Sequence, residues 1–232
     1  MPTAAAKRLN EPAAWTGAIH LGAEVSIFVG QGGHATRHSH PAHKILVGNI
    51  RYVADGAVQR CGTIAIPAGV AHEVLAPDPL FIAYLDARRY DFATAASLAR
   101  TWQHANPVTV AVNALVDDLD RAPRSKIDSR ALAAVEAFVA GDSLPTVAAK
   151  LRLTTSRLTH LVTERLGASP RTFRTWLKLH AAIDRLRQGS TATTAAHHAG
   201  FSDSAHFSRA CRAVLGISPT ELRHSSFEAM PG

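Results

Sequence analysis

The pattern Leu-Gly-x-Ser-Pro occurs twice in this chain, at residues 166–170 and 215–219, and the two copies lie 49 residues apart. The glycine can take the left-handed conformation that ends a helix. The Ser-Pro pair opens the next helix, with serine as N-cap and proline at the first helical position. Each copy is therefore a helix stop followed by a helix start. The stretches upstream repeat as well. Leu144, Val147, Ala148 and Leu151 fall at i, i+3, i+4 and i+7, and Ala192, Ala195, Ala196 and Ala199 do the same. A turn follows each stripe. Thr154 or Thr155 caps the next helix in the first copy, and Gly200-Phe201 makes the turn in the second, where glycine can take positive φ. Leu158, Leu161, Val162 and Leu166 then form one buried face, matched by Phe207, Ala210, Cys211, Val214 and Leu215. The offset between copies grows from 48 to 49 across the turns, so the second turn is one residue longer. The last hundred residues read as two helix-turn-helix units.

A plain helical bundle needs only the buried stripes. Here the opposite faces are also patterned. At 100° per residue, Ser156, Thr159, His160 and Thr163 point away from the first core, with Arg157 to the side. In the second unit Ala205, Ser208, Arg209 and Arg212 point away, flanked by Ser204 and His206. Short polar side chains and arginines on a protruding helix suit the major groove, where arginine can bond guanine with two hydrogen bonds. These residues are the expected contacts to double-stranded DNA. Between the copies, residues 171–188 read as one helix of about 27 Å carrying Phe173, Trp176, Leu177, His180, Ala181, Ile183 and Leu186. That length approaches the roughly 34 Å of one duplex turn, so the connector can set two reading helices into successive grooves.

On these residues, the segment from Ser129 to Ser225 resembles the AraC-type DNA-binding domain. The strongest stretch runs from Ala195 to Arg209 and continues through Leu215-Gly216-Ile217-Ser218-Pro219. The resemblance implies a seven-helix domain with two reading helices, and favours an activator. Four positions depart from it. Ala192 and Ala195 stand where the family usually has larger aliphatics, and Cys211 where it usually has Phe. A fourth, Arg152, occupies the first turn where Gly is common, which implies a turn that is strained or differently shaped.

Charge follows the same division. Residues 1–123 carry 10 Lys/Arg and 10 Asp/Glu, whereas residues 124–224 carry 15 against 7. Basic charge confined to the helical half is the footprint expected for phosphate contact. No apolar run approaches the roughly 18–20 residues of a membrane span, no signal-peptide core follows Lys7-Arg8, and two cysteines, Cys61 and Cys211, make no disulfide framework. The expectation is a cytoplasmic protein without a membrane partner.

The first half reads as short strands, including Val25–Val29, Ile64–Ile66 and Leu80–Leu85. Gly48-Asn49 between Ile45–Val47 and Ile50–Val53 has the form of a two-residue hairpin, and Asp55-Gly56 offers another turn. Two segments resemble cupin motifs: Gly32, five residues, then His38-Ser39-His40; and Gly62 with Pro67-Ala68-Gly69-Val70-Ala71-His72. This resemblance covers residues 20–86 and also suits the sensor domain of AraC-type regulators. The acid of the cupin motif is absent, with Lys44 and Ile45 in its place. Alternation along a strand puts His38 and His40 on one side, and His72 completes a shared cavity, with His43 as candidate fourth donor. Neutral imidazoles suit Zn, Ni, Cu or Fe; the competing reading is a polar pocket for a small ligand.

The expected architecture is α+β. A cupin-like β-barrel (residues 1–90) senses a ligand; a helical dimerisation and linker region (91–127) follows, then a DNA-binding domain (128–232) with two helix-turn-helix units joined by a long helix. The helical half is expected to fold and bind DNA by itself. The expected function is an effector-responsive, sequence-specific transcriptional activator, not an enzyme, working as a homodimer. Its partners are DNA, a small-molecule or metal effector and RNA polymerase. The alternative is a metal-dependent cupin enzyme with a DNA-binding tail.

Overall fold

The computed structural model describes residues 15–230. Seven strands come first: β1 (Thr16–Leu21), β2 (Val25–Gln31), β3 (His34–His38), β4 (Ala42–Ala54), β5 (Ala57–Ile66), β6 (His72–Leu75) and β7 (Pro79–Asp86). They curl into a half-barrel in the order β3-β6-β4-β7-β2-β1, with β5 added to β4. Period-two alternation sorts their side chains. Ile27, Ile45, Val47, Phe81, Ala83 and Leu85 face helices α1 (Phe92–Trp102) and α2 (Val112–Arg121). Phe28, Leu46, Ile50, Ile66, Leu80 and Ile82 face the interior of the curl. Burial of each such side chain contributes about 1.5–3 kcal/mol.

One turn differs from its sequence reading. Asp55-Gly56 is a hairpin, with Asp55 at φ 49° and Gly56 at φ 79°, and it joins Ala54 to Ala57 across β4 and β5. Gly48-Asn49 is not a hairpin. β4 runs straight through it, with a shift of register against β5 between Val47 and Ile50. The irregularity lets one strand serve two neighbours: residues 42–48 pair with β7 and residues 51–53 with β6. Only glycine fits there, because a Cβ on Gly48 would lie 2.7 Å from the Leu80 side chain.

The apolar stripe of α2 is covered. Leu115 and Leu119 pack under the barrel with Trp102 of α1, whose indole donates to Asp118 at 2.8 Å.

Seven helices follow: α3 (Ser129–Val139), α4 (Leu144–Lys150), α5 (Thr155–Leu166), α6 (Pro170–Arg187), α7 (Ala192–His198), α8 (Ser204–Leu215) and α9 (Pro219–Leu222). Their ends are set by the residues expected. Thr154 caps α5, Ser169 caps α6 with Pro170 first inside, and Ser218 caps α9 in a capping box with Glu221. Gly167 and Gly216 end α5 and α8 in the left-handed region, at φ 74° and 76°. Arg152 pays for the missing glycine of its turn, adopting φ 54°. Leu158, Val162 and Leu166 are buried in one unit and Phe207, Ala210, Cys211, Val214 and Leu215 in the other, while Leu161 is half-buried.

The two halves are joined by more than the linker. Strand β8 (Ser226–Ala229) pairs parallel with β1, in register Ala18 to Ser226 through Leu21 to Ala229. The helical half thus contributes a strand to the barrel sheet, which no pattern in residues 226–229 marks. It also touches the barrel at both of its left-handed caps. Thr36 donates to the Gly216 carbonyl from its amide (2.9 Å) and from Oγ1 (3.0 Å), and the Ser39 amide donates to Ala213 (3.3 Å). Gly167 packs against Ala68 and Gly69 so closely that a Cβ on Gly69 would lie 1.7 Å from the Gly167 carbonyl oxygen.

Candidate functional site

The outward faces of α5 and α8 are open. Ser156, Arg157, His160 and Thr163 are exposed and Thr159 half-buried; Ser204, Ala205, His206, Arg209 and Arg212 are exposed and Ser208 half-buried. Thr159 and Thr163 donate their hydroxyls back to the carbonyls of Thr155 (2.9 Å) and Thr159 (2.7 Å). Their oxygens remain able to accept from a ligand. Among the described residues, Arg157, Arg209 and Arg212 form no ion pair. His160 stands 3.9 Å from Glu164. His206 is tied to its own cap instead: Asp203 accepts from its amide, Ser202 Oγ lies 3.2 Å from its Nδ1, and its ring stands edge-on to Phe201.

Inside the barrel, His38, His40 and His72 face one cavity. His38 and His72 are direct cross-strand partners on β3 and β6, with ring centroids 4.3 Å apart. His40 lies just beyond β3, its ring 5.7 Å from His38 and 5.2 Å from His72. Each ring bonds a backbone carbonyl through Nδ1: His38 to Thr36 (2.7 Å), His40 to Ala42 (2.9 Å), His72 to Val70 (2.8 Å). A carbonyl only accepts, so each Nδ1 carries the proton and each neutral ring presents the Nε2 lone pair. Burial first, then the Lys44 charge, pulls His38 down to about 2 and His72 to about 3, and lowers His40 strongly.

His43 is not part of this group. It sits on the other face of β4, where its Nδ1 accepts from the Ala68 amide at 3.0 Å and its ring lies 5.8 Å from Phe92. Strand parity is the reason: adjacent residues point to opposite faces, so Lys44 enters the cavity in its place. Lys44 Nζ lies 3.4 Å from Nε2 of both His38 and His72 and 5.2 Å from the Tyr84 ring centre. Burial pulls its pKa down to about 7. His34, on β3, pairs with Glu73 at 2.7 Å.

Beside the histidines is an apolar cavity of about 80 Å3 between the barrel and helices α6 and α8. Phe28, Lys44 and Tyr84 line it from the barrel, and Trp176, Leu215 and Ile217 from the helical half. Tyr84 and Trp176 connect it to His40, with ring centroids 5.1 and 6.0 Å away. Their sequence patterns mark them only as core residues.

Residues 147–225 match a family described as a helix-turn-helix domain. Over 62 residues the chain is 42% identical to the HTH-type transcriptional activators RhaS of Pectobacterium carotovorum and Pectobacterium atrosepticum. That match covers 26% of this chain, and the chain spans 22% of the length of these curated relatives. The apo form of a ToxT variant from Vibrio cholerae has a similar fold, with a TM-score of 0.55 at 10% identity over 87% of this chain and 97% of that one. The similarity to a DNA-binding domain is thus confined to the helical half. Helices α5 and α8 both lie within the matched segment. The likeness to ToxT extends the shared fold through the β half. No described helix is long and apolar enough to cross a membrane.

Proposed function

We propose that this chain is an AraC-type, sequence-specific DNA-binding transcriptional regulator whose β half receives a small-molecule signal. One observation carries the reading: two capped helices, α5 and α8, expose polar and arginine-bearing faces from either end of a single connector, in the half that holds the excess of basic charge. Ser156, Arg157, Thr159, His160 and Thr163 read one part of the site, and Ser204, Ala205, His206, Ser208, Arg209 and Arg212 the other. Arg209 contributes base recognition, while Arg157 and His206 contact the backbone.

The cavity under Trp176 receives the effector. Its walls come from both halves, so a ligand that fits one relative placement better than another shifts their equilibrium. The barrel holds the C-terminal cap of each reading helix, and a change in that hold alters the angle between them. Activation is the sense suggested by the RhaS activators, with RNA polymerase as the further partner. A homodimer on DNA in the cytoplasm completes the proposal.

Selection of bound fragments from a genomic DNA library with the purified full chain tests this reading. The expected result is a two-part motif spanning successive major grooves. Recovery of fragments without a shared motif would refute sequence-specific recognition.

A further inference from the structure

The position where a cupin centre holds its metal is already taken by a side chain. Three imidazoles converge, and the backbone carbonyls of Thr36, Ala42 and Val70 hold all three as Nδ1–H tautomers with their Nε2 lone pairs inward. A transition-metal ion would need to lie about 2.0–2.1 Å from those nitrogens. Lys44 Nζ stands there instead, at 3.4 Å from the Nε2 of His38 and of His72, the distances at which an ammonium donates. The third lone pair, on His40 Nε2, is buried with no hydrogen-bond partner. Lys44 is fully buried itself and comes from the strand position where the cupin carboxylate is missing. Three neutral imidazoles would suit a transition metal by themselves, but here a lysine side chain shares their centre.

We infer that the Lys44 ammonium is the resident cation of this centre, replacing the metal ion and excluding it. An ammonium can donate to the buried lone pairs of His38 and His72, which a methylene chain could not satisfy. The arrangement also reaches the DNA-binding half. Lys44 holds His38 in the tautomer that donates to the Thr36 carbonyl, and Thr36 in turn holds the Gly216 cap of α8. The centre is a strut beneath a reading helix, complete without metal. This goes beyond the proposed regulator, because it holds whether or not the chain binds DNA.

Metal uptake by the purified full chain tests the inference. Wild type, Lys44→Glu and Lys44→Met are each incubated with Co2+ and separately with Zn2+, desalted, and assayed for retained metal; Co2+ in a nitrogen-ligand site also absorbs in the visible. Wild type is expected to retain neither ion. K44E supplies the missing carboxylate and is expected to retain one ion per chain with visible absorption and a raised melting temperature. K44M removes the charge alone and is expected to retain Co2+ more weakly on the three imidazoles. Stoichiometric uptake by wild type, lost in His72→Ala, overturns the inference. So does a folded K44E and a folded K44M that both take up nothing, because exclusion then has another cause. If neither variant folds, 15N NMR of lysine-labelled wild type decides: a side-chain ammonium signal slow to exchange in mildly acidic buffer supports the resident cation, and its absence overturns it.

Discussion

Thr36 gives two hydrogen bonds to the carbonyl of Gly216, one from its amide and one from its hydroxyl, across 180 residues of sequence. The carbonyl belongs to the left-handed cap of α8, and the threonine is two residues from His38. A reading helix is thus held at its blunt end by the barrel strand that carries the histidine centre.

Substitution at that cap should cost more than left-handed strain alone. A Cβ on Gly216 would lie 2.6 Å from His38 Nδ1 and 2.7 Å from the Thr36 carbonyl, whereas one on Gly200, also left-handed, meets only the flexible Lys178 end at 3.4 Å. Gly200→Ala is expected to lose roughly 1 kcal/mol and Gly216→Ala roughly 3 kcal/mol. Urea unfolding of both variants measures the difference; equal losses would show that the contact with the barrel contributes nothing.

Arg152→Gly should stabilise the chain. Arg152 sits at φ 54° in an exposed turn and makes no ion pair among the described residues. Relief of the left-handed conformation is worth about 1 kcal/mol. Thermal unfolding should show a higher midpoint, with DNA affinity unchanged.

On DNA, Arg209→Ala is expected to weaken binding to the selected site by roughly 1–3 kcal/mol and to relax preference at one position only. A uniform loss across all sequences would reassign Arg209 to phosphate contact. The triple change Ser156→Ala, Thr159→Ala, His160→Ala should alter preference in the other part of the motif, read by repeating the selection.

Acid should unfold the chain early. His38, His40 and His72 stay neutral when folded, with pKa values far below the 6.5 of an exposed imidazole. The unfolded chain therefore binds more protons below pH 6.5, and stability falls as pH drops through that point. The loss is roughly 1–2 kcal/mol per buried imidazole on reaching about pH 5. Urea midpoints across this range should decline in wild type and decline less in His72→Gln; a flat profile would mean the rings are charged or exposed in the folded state.

The helical half was legible because its signals are local. Thr154, Ser169, Gly167, Ser218 and Gly216 specify their own helix ends within a few residues, and the stripes at i, i+3 and i+4 specify what each helix buries. The barrel depends on partners distant in sequence. Whether Gly48-Asn49 turns or bulges is decided by β6 and β7, which pair with β4 on either side of it. Alternation itself puts His43 outside, because His38, His40, Lys44 and Leu46 share one parity and His43 has the other. Counting back from Leu46, whose side chain is inside, would have placed Lys44 inward. Residues 226–229 have no pattern of their own; their strand exists only because β1 offers an edge.

That edge has a temporal consequence. During synthesis β1 emerges some two hundred residues before β8, so the nascent barrel carries a bare row of backbone donors and acceptors while the helices are being made. Pairing so distant in sequence forms slowly. Residues 226–229 later sheathe that adhesive border, and a ribosome that stalls before Ser226 leaves the β1 edge open to any passing strand.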